Sequence, residues 1–85
     1  MKEFTYTITD PVGIHARPAG VLKAKVKEFA STVTVSKGDA TVDAVKTLKL
    51  MGMGIVQGDT ITVRVEGEDE DQCAPAIEEL FKSNF

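Results

Sequence analysis

Residues 2–9 alternate strictly: Phe4, Tyr6 and Ile8 fall on one side, and Thr5, Thr7 and Thr9 on the other. A period of two is the signature of a half-buried strand. It returns at Thr32–Ser36, at Ala40–Asp43 and at Thr60–Glu66, where Ile61, Val63 and Val65 share a side. Four strands with one apolar face each need a second layer to cover that face. The stretches between them supply it. Ala19, Leu22, Val26 and Phe29 recur at spacings of three and four, as on one face of a helix. Cys73, Ile77, Leu80 and Phe81 do the same in a helix expected over about Gln72–Lys82. A shorter helix fits within 46–53, kept short by Gly52 and Gly54.

The resulting order is β-α-β-β-α-β-α. Lys37-Gly38-Asp39 joins the second and third strands as a hairpin turn, which points to a mainly antiparallel sheet. The expected fold class is α+β: a two-layer, open-faced sandwich with a four-stranded sheet and three helices on one face. The threonine-rich face is left to solvent. With 85 residues and no linker or repeat, residues 1–85 read as a single domain. Pro75 lies inside the last helical pattern, so a cap at Asp71 or Gln72 is expected to keep that proline near the first turn. No apolar run is long enough to span a membrane, and the N-terminal segment is too polar for a signal peptide. A single cysteine permits no intramolecular disulfide, which fits a cytoplasmic protein.

The net charge of −3 argues against general nucleic-acid binding, and the aromatics Phe4, Tyr6, Phe29 and Phe81 all fall on core stripes, not among basic residues. Phe85 is not assigned by pattern. Charge is uneven along the chain: Arg17, Lys23, Lys25 and Lys27, then Lys46 and Lys49, make a basic region, and residues 66–71 an acidic one. A basic patch on an acidic chain suits an acidic partner or a small anion; two solvated faces fit the charges equally well. A structural zinc site needs about four cysteine or histidine ligands, and the chain has only His15 and Cys73. No metal or other cofactor is expected. No P-loop, dinucleotide fingerprint or nucleophile elbow is present.

His15, the only histidine, stands in the stretch GIHARPAG, just before a helix whose first turn takes Pro18. A neutral imidazole offers a nucleophilic nitrogen near neutral pH. A helix N-terminus presents free N–H groups and a positive dipole end, a setting that favours phosphate and disfavours imidazolium. Arg17 can grip phosphate oxygens with two N–H groups, and Gly13 allows a tight turn beside the ring. These residues describe a place where phosphate could be held on His15. They also fit a capping or solvated histidine. Leu48 and Met51, flanked by Lys46 and Lys49, suggest an adaptable apolar contact surface; core filling is the alternative, expected for Leu50 and Met53.

GIHARPA followed by a helix, the element order and the stretch LMGMGIVQGDTITV together resemble the HPr family, the phosphocarriers of the bacterial phosphoenolpyruvate-dependent sugar phosphotransferase system. The resemblance covers nearly the whole chain. It implies that His15 takes a phosphoryl group on Nδ1 from phosphorylated enzyme I and passes it to a histidine of sugar-specific IIA components. By this resemblance the protein is a substrate of phosphotransferases and not an enzyme. Arg17 then matches the arginine that stabilises phosphate charge, with Gly13, Ala16 and Pro18 forming the phosphate surroundings. The partner-binding surface implied is Gly20, Lys23, Lys27, Thr47, Leu48, Met51 and Gly52. At the position where many relatives carry a regulatory serine this chain has Lys46, so that regulation is not expected. Met-Gly-Met-Gly at 51–54 departs from the commoner Met-Ser-Leu-Gly, with Gly52 replacing the serine. The expected state is a monomer. The competing reading is an HPr-like module that signals by binding regulatory proteins; intact His15 and Arg17 argue against that as its only role.

Overall fold

A computed structural model describes all of residues 1–85. The strands are β1 (Lys2–Thr7), β2 (Thr32–Lys37), β3 (Ala40–Asp43) and β4 (Thr60–Glu66); the helices are α1 (Ala16–Val26), α2 (Thr47–Met51) and α3 (Glu70–Asn84). The sheet order is β1-β4-β2-β3, and every pairing is antiparallel. Phe4 lies opposite Val63, and Val63 in turn opposite Val35, so one apolar stripe crosses three strands. The expected open-faced α+β sandwich is the observed one. No helix is long and apolar enough to cross a membrane.

The core follows the alternation. Ile61, Val63 and Val65 are fully buried beside Val33 and Val35, under Leu22 and Val26 of α1, Leu50 of α2, and Cys73, Ile77 and Phe81 of α3. Phe81 is the hub of the aromatic packing, with ring centroids 6.1 Å from Phe4, 5.6 Å from Tyr6 and 4.8 Å from Phe85. Phe85, unassigned by pattern, is only 2% exposed. Its carbonyl oxygen accepts hydrogen bonds from the N–H groups of Thr9 and Asp10. The end of α3 is thereby tied to the loop that precedes α1.

Three expectations are corrected. The hairpin loop is the two residues Gly38-Asp39, because Lys37 pairs with Ala40; Gly38 takes the positive φ of 60° that such a turn needs. Phe29 lies beyond α1, since bonds from Glu28 to Lys25 and from Phe29 to Val26 tighten the chain end and halt the helical period. Finally, α3 starts at Glu70 with Asp69 as its N-cap residue, so Pro75 sits inside the helix. Tertiary contacts outweigh the hydrogen bond lost at the proline. The Asp69 carboxylate takes hydrogen bonds from Ser31 Oγ and the Ala30 N–H across the molecule, while Glu70 accepts from the Gly67 N–H. These contacts fix the helix start two residues earlier than the proline suggested. Ser31 and Ala30 hold the Asp69 carboxyl below its ordinary range. Burial, then the Asp69 charge, raise the pKa of the Cys73 thiol, which lies in the core as its place on the apolar stripe implied.

Candidate functional site

His15 is the N-cap residue of α1, with extended backbone (φ −131°, ψ 176°). Its carbonyl accepts the first helical bond, from the Ala19 N–H at 3.0 Å. Its side chain does not cap the helix. The first-turn donors are therefore left open: neither the Ala16 nor the Arg17 N–H has a hydrogen-bond partner, and Pro18 has no N–H to offer. Pro18 is buried, Ala16 and Arg17 are exposed, and the Arg17 guanidinium makes no ion pair. An anion arriving at His15 meets two free amide donors, a helix's positive end and an uncommitted cation.

Gly13 sets the approach to this position. Its φ is +79°, and a Cβ there would stand 2.4 Å from the Ile55 carbonyl oxygen. No other residue allows the chain to turn this close to the segment joining α2 to β4. That segment is held from the other side: Lys37 Nζ donates to Asp59 Oδ2 at 2.7 Å and to the Gly54 carbonyl, while Asp59 Oδ2 also accepts from the Val56 N–H. Lys37 and the Val56 N–H hold the Asp59 carboxyl below the usual range.

The sequence reading gave Asp10 no role. Its Oδ2 lies 3.5 Å from His15 Nε2. The available signal was the Asp-Pro-x-Gly turn, which folds the chain back and returns residue 10 toward residue 15.

The basic residues divide between faces. Lys23 shares a shallow groove with Lys46, Thr47, Leu48 and Lys49, between α1 and α2. Leu48 is 81% exposed there, and Met51 half-buried, whereas Leu50 is fully buried. Lys27 lies beside an adjoining groove with Phe29 and Val45. Lys25 leaves the cluster: it pairs with Glu28 at 3.4 Å and faces Glu79 and Ser83 of α3. A helix turns about 100° per residue, so Lys25 stands about 200° from both Lys23 and Lys27. Gly20 is exposed with open space above it, and Gly52 is the C-cap residue of α2.

A family model described as the phosphorylation site of the PTS HPr component matches residues 2–83. The chain belongs to the HPr family. It is thus an HPr phosphocarrier of the phosphotransferase system. The phosphocarrier protein HPr of Lysinibacillus sphaericus is 44% identical over 81 residues, which is 95% of this chain and 92% of that protein. The crystal structure of HPr-C-His from Thermoanaerobacter tengcongensis superposes with a TM-score of 0.91 at 34% identity, covering 100% of this chain and 96% of that one. A second structure from that organism, described as an HPr dimer, gives 0.74 at 34% identity over 98% of this chain and 95% of that one.

Proposed function

We propose that this HPr accepts a phosphoryl group on His15 Nδ1 from phosphorylated enzyme I and delivers it to a histidine of sugar-specific IIA components. The observation that carries the reading is the unused N-terminus of α1: the His15 side chain leaves the Ala16 and Arg17 N–H groups free. Those groups and the Arg17 guanidinium can receive the phosphoryl oxygens once the Nδ1–P bond forms. Gly13 and Pro18 fix the turn and the first helical residues that hold this arrangement. Residues 1–85 act as one cytoplasmic domain, monomeric in its transfer cycle and without a cofactor, as a substrate of phosphotransferases and not as an enzyme. No nucleic acid or membrane insertion enters this function.

Partners dock on the exposed surface of α1 and α2, through Gly20, Lys23, Lys27, Thr47, Leu48, Met51 and Gly52. Exposed apolar atoms among lysines complement a face that is acidic at its rim and apolar at its centre. Lys46, the exposed N-cap residue of α2, stands at the regulatory-serine position and adds positive charge where a phosphoserine adds negative charge. Serine-dependent regulation is therefore absent at this position. The same surface is open to regulatory proteins.

Incubation with labelled phosphoenolpyruvate and purified enzyme I should give an acid-labile, base-stable label. His15→Ala should abolish it while leaving the circular dichroism spectrum unchanged. Full labelling of the alanine variant would place the acceptor elsewhere.

A further inference from the structure

The Asp10 side chain is fixed from several directions. Its Oδ1 accepts from the Val12 N–H at 2.8 Å, its carbonyl accepts from the Gly13 N–H at 2.9 Å, and its own N–H donates to the Phe85 carbonyl at 2.8 Å. Only Oδ2 is uncommitted, and it stands 3.5 Å from His15 Nε2. Nδ1 has no hydrogen-bond partner, and no other protein group contacts Nε2 as a polar partner. The separation is that of an ion pair and exceeds a tight hydrogen bond. Contacts around reacting groups are often long before a reaction complex forms and shorten within it.

We infer that Asp10 is a positioning residue for His15: its Oδ2 holds the proton on Nε2 and so keeps the lone pair on Nδ1. The partner of one ring nitrogen sets which nitrogen carries the proton. The inference rests on the phosphocarrier reading for its purpose, since Nδ1 must be free to attack. In the transfer, the Nδ1–P bond forms while the donor's P–N bond breaks, and the donor imidazole leaves with that electron pair. The Nε2 proton stays in place throughout. The His15 ring accordingly becomes positively charged as Nδ1 is phosphorylated, and the Asp10 carboxylate faces that new charge. When the group leaves for an acceptor, the ring returns to its neutral Nε2–H form. Asp10 touches neither donor nor phosphoryl group.

Asp10→Asn tests this without dismantling the turn. The amide oxygen keeps the bond from the Val12 N–H, which places the amide NH2 where Oδ2 was, next to Nε2. That group donates and does not accept, so it favours the opposite tautomer, with the proton on Nδ1. Long-range proton–nitrogen correlation spectra of 15N-labelled protein, taken at alkaline pH, read the tautomer directly. The expected result is an Nε2–H form in the unaltered protein and a ratio of Nε2–H to Nδ1–H lower by about tenfold in Asp10→Asn, as one hydrogen bond's worth of bias predicts. The rate of labelling by phosphorylated enzyme I should fall by a similar factor, with backbone amide spectra preserved. An unchanged tautomer ratio and rate in Asp10→Asn would overturn the inference and leave Asp10 as a turn-former only. The tautomer measurement needs no phosphoryl donor. A failure of the unaltered protein to label is therefore separable, and counts against the carrier reading alone.

Discussion

At the scale of single residues, the question is which group bears the arriving charge. A helix N-terminus contributes about 0.3–1 kcal/mol toward a nearby anion. A hydrogen bond to a charged group contributes about 1.5–3 kcal/mol. Under the proposed function the Arg17 guanidinium, exposed and without an ion pair, adds such a bond to those of the two free amide donors. Arg17→Ala should shift the phosphotransfer equilibrium with enzyme I toward unphosphorylated protein by about 10–100-fold, with an unchanged melting temperature. Equilibrium labelling at known enzyme I concentrations measures this; a shift below twofold would assign the charge to the helix end. The positions of His15 and Arg17 at the start of α1 were legible in the chain because they follow from local pattern. That of Asp10 was not. Its closeness to Nε2 depends on how the turn at Val12 and Gly13 folds back, and no periodicity encodes that path.

At the scale of elements, α2 shows how little helix is needed to bury one apolar side chain and expose another. Its five residues put Leu50 into the core and Leu48 into solvent. Two residues apart on a helix, these side chains stand about 200° from each other. The same short pattern therefore anchors the element and presents an apolar knob beside Lys23 and Lys49. Truncation of such an exposed anchor removes little stability but weakens association by about 1–2 kcal/mol when it lies at the centre of an interface. Leu48→Ala should accordingly keep its melting temperature and bind enzyme I roughly tenfold more weakly by calorimetry. Equal affinity would move the docking surface away from α2. The sequence pattern separated Leu48 from Leu50 correctly, because two residues on one short helix need no tertiary information. It failed for the start of α3, where Pro75 was the strongest local signal. The Asp69 contacts with Ser31 and Ala30, nearly 40 positions away in the chain, decided the boundary instead.

At the scale of the whole molecule, two carboxylates join distant segments. Asp59 ties β2 to the segment beneath Gly13 through Lys37, and Asp69 ties the start of α3 to the Ala30-Ser31 connection. Both have pKa values lowered from an ordinary 3.8. In the unfolded chain they bind protons more readily than in the folded one, so folding gains stability at pH above that ordinary value. The gain disappears as pH falls through the lower folded values. Melting temperature followed from about pH 6 to pH 2 should drop steeply below about pH 4, and the combined Asp59→Asn and Asp69→Asn variant should show a flatter acid limb. An identical slope would mean that other carboxylates govern acid unfolding.

The same distinction separates what the chain alone determined from what only its folding decided. The four strands, three helices and buried stripe follow from hydrophobic period, since each residue's side of a strand or helix is a local property. The placement of His15 before a helix, with Arg17 two residues on, follows in the same way. The tertiary structure decided where those local pieces meet: Ile55 against Gly13, Phe85 against Phe81 and the Asp10 N–H, Asp69 against Ser31, and Asp10 beside the His15 ring. Such contacts join segments through turns and packing, and their geometry exists only when the layers close on one another.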